Sequence, residues 1–198
     1  MNEETLAQVR ADILGSELKN MYPSVNNIVP GEGSNKAEIM FVGEAPGAQE
    51  DQEGKPFVGR AGKFLNEMLA TIGLDREDVY ITNIVKCRPP ENRDPTDEEK
   101  DLWYPFLERQ VRAIKPLVIA TLGRHSMGHF IPGVKISQVH GSPKRGPGIW
   151  SDRQIYLPLY HPAAALYNGG QRQTLIDDFS QIPELIKKIK SEDIYAEL

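Results

Sequence analysis

Apolar positions recur along this chain with two periods, and the alternation between them sets the expected architecture. Leu6, Val9, Ile13 and Leu14 fall at helical spacing within residues 3–20. Residues 37–42 (A-E-I-M-F-V) form a short apolar run that reads as a buried strand ending at Gly43. Phe64, Leu65, Met68 and Leu69 mark a helix over 62–72, stopped by Gly73. Further strands are expected over 78–84, 116–122 (P-L-V-I-A-T-L) and 154–159. Thr96, with Glu99 three residues later, is a capping box that opens a helix to about Ile114. A helix is expected near 123–130, and a last one closes the chain over 174–190. Turn formers fill 23–35, and the Gly- and Pro-rich stretch 131–153 reads as a long loop or hairpin. Strands alternating with helices predict a three-layer α/β/α sandwich on a mostly parallel, four-stranded central sheet. Neither a repeat nor a dividing linker is evident, so residues 1–198 are expected to form one domain.

Composition narrows the class. At 198 residues, 39% hydrophobic and 26% charged, the chain is ordinary for a globular protein. It is long enough to bury roughly 70% of its unfolded surface. No apolar run approaches the ~20 residues that span a bilayer, and Met1-Asn2-Glu3-Glu4 lacks a signal peptide's basic start. A cytoplasmic protein with no membrane partner is the expectation. Cys87 is the only cysteine, which excludes an internal disulfide or a metal site built from cysteines alone. The net charge of −5 argues against a surface coated in nucleic acid, yet phosphate binding depends on the local field. Lys86, Arg88 and Arg93 crowd one loop, Arg60 and Lys63 another, and Lys144 and Arg145 a third. Read blandly, this is scattered solvated charge.

Two loop motifs change that picture, because each follows a predicted strand. The first runs Gly43-Glu44-Ala45-Pro46-Gly47-Ala48-Gln49-Glu50-Asp51 and continues through Gly54-Lys55-Pro56-Phe57-Val58-Gly59-Arg60-Ala61-Gly62. The second is Tyr160-His161-Pro162-Ala163-Ala164-Ala165-Leu166. In an open parallel sheet such loops gather at one edge, where ligands bind. Glycines 43 and 47 let backbone N–H groups approach a ligand, and Glu44 or Glu50 beside them can orient a water or stabilise a developing cation. Either glutamate can equally be a loop cap. Phe57 offers a stacking face for a base, or a core plug beneath the loop. Asn83 ends the second strand with an amide that both donates and accepts, although a turn former reads the same way. His161 precedes a proline and so favours an extended backbone that projects its ring. His125, His129 and His140 have no comparable framing, and their scatter points to no metal site.

Three segments in order carry a resemblance: G-E-A-P-G-A-Q-E-D-Q-E-G-K-P-F-V-G-R-A-G, V-Y-I-T-N-I-V-K-C-R-P-P-E-N-R-D-P-T and L-Y-H-P-A-A-A-L. Together they resemble the successive signatures of the family-four uracil-DNA glycosylases, from about Val29 to the final helix. The resemblance implies hydrolysis of the N-glycosidic bond of uracil in DNA, leaving an abasic site after the nucleotide is flipped from the stack. It implies Glu44, Glu50 and His161 as catalytic residues, and Ala45, Asp51, Phe57 and Asn83 as substrate-binding ones. Arg60, Lys86, Arg88, Leu166 and Tyr167 would contact DNA. A monomer, acting on uracil-containing DNA and meeting replication or repair proteins, is the implied setting.

The chain also departs from that family. Its members typically hold a [4Fe–4S] cluster on four cysteines, and the matching slots here are Ile13, Ser16, Cys87 and Trp103. One thiol cannot hold a cluster that needs four ligands, so no cofactor or metal is expected. Ala165, Leu166 and Tyr167 stand where a leucine pair and an arginine are common, and His140-Gly141 replaces a common Arg-Gly. Two competing readings keep the fold: a glycosylase for another deaminated base, or a DNA- or protein-binding module that has lost activity. Phe57 and Asn83 in a pyrimidine-type frame weigh against the first, and the intact Glu44, Glu50, Asn83 and His161 against the second.

Overall fold

The apolar runs become strands because both of their faces are covered. In the computed structural model, residues 4–152 and 154–196 are described; residues 1–3 and 197–198, the ends of the expected domain, lie outside them. The elements in chain order are α1 (Leu6–Leu14), β1 (Glu32–Gly33), β2 (Ile39–Gly43), α2 (Ala48–Glu53), α3 (Arg60–Thr71), β3 (Tyr80–Asn83) and α4 (Asp97–Ile114). There follow β4 (Val118–Leu122), α5 (Arg124–Phe130), α6 (Ile136–Val139), β5 (Lys144–Gly146), β6 (Gln154–Leu159), α7 (Pro162–Ala165), α8 (Gly169–Ser180) and α9 (Ile182–Ala196).

Among the described residues the sheet has six strands in the order β1-β3-β2-β4-β6-β5. Strands β3, β2, β4 and β6 run parallel, while β1 and β5 pair antiparallel at the two edges. The expected four-stranded sheet is therefore only the parallel centre of a mixed one. Strand β1 falls in the 23–35 segment expected as a loop, while β5 makes with β6 a hairpin, one of the two alternatives expected for 131–153, a stretch that also contains α6. The closing helix is two helices: α8 ends at Ser180, and α9 starts at Ile182 with Pro183 in its first turn, where a missing N–H costs nothing.

Side chains alternate between two layers, as the period of a strand requires. Ile39, Phe41, Leu122 and Leu159 pack with Phe64, Leu65 and Met68 of α3 and with Leu175 and Phe179 of α8. Met40, Val42, Tyr80 and Ile119 face the opposite layer, against Val9 and Ile13 of α1 and Trp103, Leu107 and Val111 of α4. Covering both faces explains why the parallel strands read as continuous apolar runs rather than alternating ones. The capping box of α4 forms as expected: Thr96 Oγ1 accepts the Glu99 N–H, and the Glu99 carboxylate accepts the Thr96 N–H at 2.7 Å.

This order positions a site. The chain leaves β2 for β3 on one side and reaches β4 on the other, so the loops at their carboxyl ends diverge and open a crevice. Gly43, Asn83, Leu122 and Leu159 end the four parallel strands at that edge.

Candidate active site

Register places Gly43 directly beside Asn83. The exits of the two strands are stitched together, since Ile84 N–H donates to Gly43 O and Val85 N–H to Glu44 O, each at 3.0 Å. The space a side chain would take at Gly43 is already filled: a Cβ there would collide with Asn83 Oδ1 and lie 2.8 Å from the Phe57 ring. Asn83 and Phe57, 2% and 5% exposed, thus pack together against Gly43. Phe57 is held at φ 51°, a strained conformation for an aromatic residue. Its ring lies 5.7 Å from that of His161, tilted by 32°. Asn83 Oδ1 is buried with no hydrogen-bond partner in the protein. A buried acceptor left bare at a sheet edge points to a ligand donor.

His161 caps α7: its Nδ1 accepts the Ala163 N–H at 3.1 Å. The remaining nitrogen, Nε2, therefore carries the proton of the neutral ring and can donate. Burial pushes the pKa of His161 down to about 4, so the ring is neutral at physiological pH. The second bare acceptor is Glu44 Oε1. Burial, reinforced by the negative charge of Asp94, raises the Glu44 carboxyl to about 7. His125 Nδ1 lies 3.5 Å from Glu44 Oε1, and its Nε2 lies 3.1 Å from Asp94 Oδ2. Of the three histidines without a motif, His125 alone lies at this edge, while His129 packs on Tyr104 and His140 pairs with Asp178. Glu44, Asp94 and His125 bring ligand-capable atoms within 4.8 Å of one another. The missed signal was position, because His125 follows the carboxyl end of β4 by three residues.

Around these groups opens a cleft of about 720 Å³, lined among others by Glu44, Ala45, Glu50, Arg60, His161, Leu166 and Tyr167. Glu50 lines it while also bracing it. One carboxylate oxygen accepts the N–H groups of Val58 and Gly59, both at 2.9 Å, and so fixes the loop that carries Phe57. Tyr167 is 82% exposed at the rim, with the Arg60 guanidinium 5.9 Å from its ring centroid. Arg88 is half-buried and donates to Asn92 Oδ1 at 2.8 Å.

Two expected contacts are corrected. Asp51, expected to bind substrate, is fully buried and turned into the protein. Its carboxylate accepts both N–H groups of Asn26 and Asn27 and the Asn26 amide, at 2.6–3.2 Å. It is a buttress for the loop before β1. Lys86, expected as a phosphate contact, is also fully buried, with its Nζ hydrogen-bonded to Thr82, Asn83 and Gln110. No phosphate can reach it. The basic residues of the third expected loop, Lys144 and Arg145, lie on β5 at the far edge, where Arg145 pairs with Glu192 at 2.5 Å.

The cleft lies at the switch point of a parallel sheet, where open α/β folds bind ligands, with a neutral histidine in its wall and a buried aromatic ring and a bare amide oxygen behind it. The profile of the Uracil DNA glycosylase superfamily matches residues 30–182, and the chain belongs to that family. It is 50% identical over 185 residues to the type-4 uracil-DNA glycosylase of Saccharolobus solfataricus, covering 88% of this chain and 86% of that one. With the type-4 enzyme of Archaeoglobus fulgidus it shares 47% identity over 191 residues, 93% of this chain and 95% of the other. It is also 30% identical over 184 residues to part of the DNA polymerase of Bacillus phage SP01, covering 92% of this chain and 19% of that one.

Proposed function

We propose that this chain excises uracil from DNA by hydrolysing the bond between C1′ and N1, leaving an abasic site. The observation that carries the reading is Asn83 Oδ1, buried and unpartnered beside Phe57. Uracil N3–H is the donor that oxygen lacks, and the amide N–H can answer uracil O4. Cytosine presents an acceptor and a donor in the reverse order, so it meets like with like. The 5.7 Å between the Phe57 and His161 rings is far less than two successive stacking distances. A base lying on Phe57 therefore turns its edge toward His161.

Bond cleavage sends the electron pair to uracil, where negative charge spreads from N1 to O2, and leaves a cationic sugar. His161 Nε2–H donates to the forming oxyanion without giving up its proton, which suits a ring whose pKa is about 4. Glu44 lies on the open side of the cleft. As a carboxylate it stabilises the cationic sugar and accepts a proton from the attacking water. Glu50 supports the same loop chiefly by holding Phe57. Ala45, having only a methyl group, leaves room for the sugar. Tyr167 and Leu166 stand where a side chain can fill the gap left by the flipped nucleotide, and Arg60 and Arg88 are placed for phosphates.

The four positions that match the family's cluster ligands do not fit an iron–sulfur group. Ile13, Cys87 and Trp103 are fully buried in one apolar cluster, and the Trp103 indole N–H donates to the Tyr22 hydroxyl at 3.2 Å. Ser16 caps a short turn by accepting the Leu18 N–H. Burial pushes the Cys87 thiol up to about 12, away from the thiolate that ligation needs. Packing replaces ligation. The protein acts as a monomer in the cytoplasm, and a DNA polymerase is the partner class that the phage similarity favours. No helix among the described residues is long and apolar enough to cross a membrane.

The test is a cleavage assay on uracil-containing oligonucleotides, single-stranded and paired with G or A, in EDTA. Abasic product from uracil and none from hypoxanthine is the expected result. Folded protein in excess that yields no product would leave a binding module. Activity abolished by EDTA and restored by a divalent cation would give the Glu44, Asp94 and His125 group a metal role.

A further inference from the structure

Lys86 belongs to no step above, yet it is fully buried against Asn83. Its Nζ lies 2.6 Å from Asn83 O, 2.7 Å from Gln110 Oε1 and 2.8 Å from Thr82 Oγ1. All three partners are neutral. The atoms that Asn83 and Gln110 present to the lysine are settled by their chemistry and other contacts. Asn83 O is a carbonyl and only accepts. Gln110 Nε2 lies 2.6 Å from Pro30 O, which can only accept, so the amide nitrogen must point there and Oε1 must face the lysine. The same nitrogen also donates to the Tyr80 hydroxyl at 2.9 Å. Thr82 donates its hydroxyl proton to Pro30 O at 3.1 Å, leaving lone pairs toward Nζ. Three acceptors therefore converge on one nitrogen, and an ammonium has three N–H donors where an amine has two. Burial drives the pKa of Lys86 well down, but a neutral amine would have only two N–H donors for the three contacts, so Thr82 would have to turn its hydroxyl from Pro30 O to the amine lone pair.

We propose that Lys86 is a buried cation that positions Asn83 and stabilises the uracil anion as it forms. The first effect is mechanical: the ammonium ties Asn83 O and the neighbouring Thr82 side chain to α4 through Gln110, which holds the end of β3 under the base. The second is electrostatic. The positive charge is compensated by dipoles alone, so its field reaches into the pocket where negative charge grows on uracil N1 and O2. Lys86 touches no reacting atom and is a positioning residue. The inference rests on the glycosylase reading, and excision by the unaltered protein is its precondition.

Lys86→Met and Lys86→Gln are compared with the unaltered protein in single-turnover excision of uracil and of 5-fluorouracil, whose anion needs less stabilisation. Each variant should lose roughly 10- to 100-fold on uracil, the scale of a unit charge several ångströms from a forming anion. The loss on 5-fluorouracil should be several-fold smaller. DNA affinity and its salt dependence should not change, since no phosphate reaches this nitrogen. Equal losses on both bases would show a purely structural role and overturn the electrostatic part. A weaker salt dependence would return Lys86 to phosphate contact and overturn the proposal. A direct check needs no variant: ¹⁵N NMR of the unaltered protein should show the Lys86 nitrogen carrying three protons at pH 7. A neutral amine there would overturn the proposal even if neither variant folds.

Discussion

At the scale of single residues, the pocket is defined by what is left unsatisfied. Asn83 Oδ1 and Glu44 Oε1 are buried acceptors without a hydrogen bond, and they lie at the carboxyl ends of adjacent strands. Removing the two groups proposed to face the base should therefore be costly to the reaction and cheap to the fold. His161→Ala and Asn83→Ala should each lower the single-turnover rate by ~10²–10³-fold, the usual cost of a lost oxyanion donor. Circular dichroism should show a retained fold. Near-normal rates in both would mean that the base binds elsewhere. Glu44 makes a second, pH-dependent prediction. If its carboxylate is the active form, the rate should rise with pH to a plateau above about 7 and fall as the group protonates. The stability effect has the opposite sign. A carboxyl raised from 4.5 to about 7 binds more protons folded than unfolded, so stability falls as pH rises through that window. Glu44→Gln should remove both slopes. A thermal-melt series against pH and single-turnover rates on the same samples check the two signs together.

At the scale of elements, legibility followed burial and local chemistry. The four parallel strands were legible because both faces are covered, leaving unbroken apolar runs such as I-M-F-V in β2. Helix α4 announced its own start through Thr96 and Glu99. Edge strands β1 and β5 did not, being two and three residues long; β1 is held by pairing to β3, remote in sequence, and β5 by a hairpin to β6. The break between α8 and α9 was hidden because a proline in a first turn leaves the apolar spacing intact. Within the site, the loop glutamates and His161 stood out by their neighbours. His125 and the burial of Lys86 did not, because each depends on partners brought in by the fold. The packing of α1 against α4 can be tested. Trp103 fills a fully buried place between them, and truncating such a side chain costs ~3–5 kcal/mol. Trp103→Ala should lower the melting temperature and loosen the 86–93 loop. Protein purified without oxygen should contain no stoichiometric iron. A brown preparation with iron and sulfide, lost in Cys87→Ala, would show that a cluster is held after all.

At the scale of the whole molecule, a chain of net charge −5 must still attract a polyanion. Its acidic residues are partly spent on its own cations: Glu99 accepts both terminal nitrogens of Arg93, at 2.7 and 2.8 Å, and Glu192 holds Arg145 on the far edge. At the cleft rim, Arg60 is exposed and makes its described contact with an aromatic ring rather than an acid. Arg88 is held by a neutral amide. These two cations, unlike the buried Lys86, are open to phosphates. Binding should therefore weaken steeply with salt, and each lost phosphate contact should flatten the plot of log affinity against log salt by about 0.7–0.9. Arg60→Glu and Arg88→Glu should each reduce affinity for uracil-containing and uracil-free DNA alike, because a phosphate carries no base identity. The charge reversals are compared with Lys86→Met in fluorescence anisotropy titrations at several salt concentrations. A loss confined to uracil-containing DNA would place that arginine at the base instead, and an unchanged salt slope in both reversals would move the DNA path away from this rim.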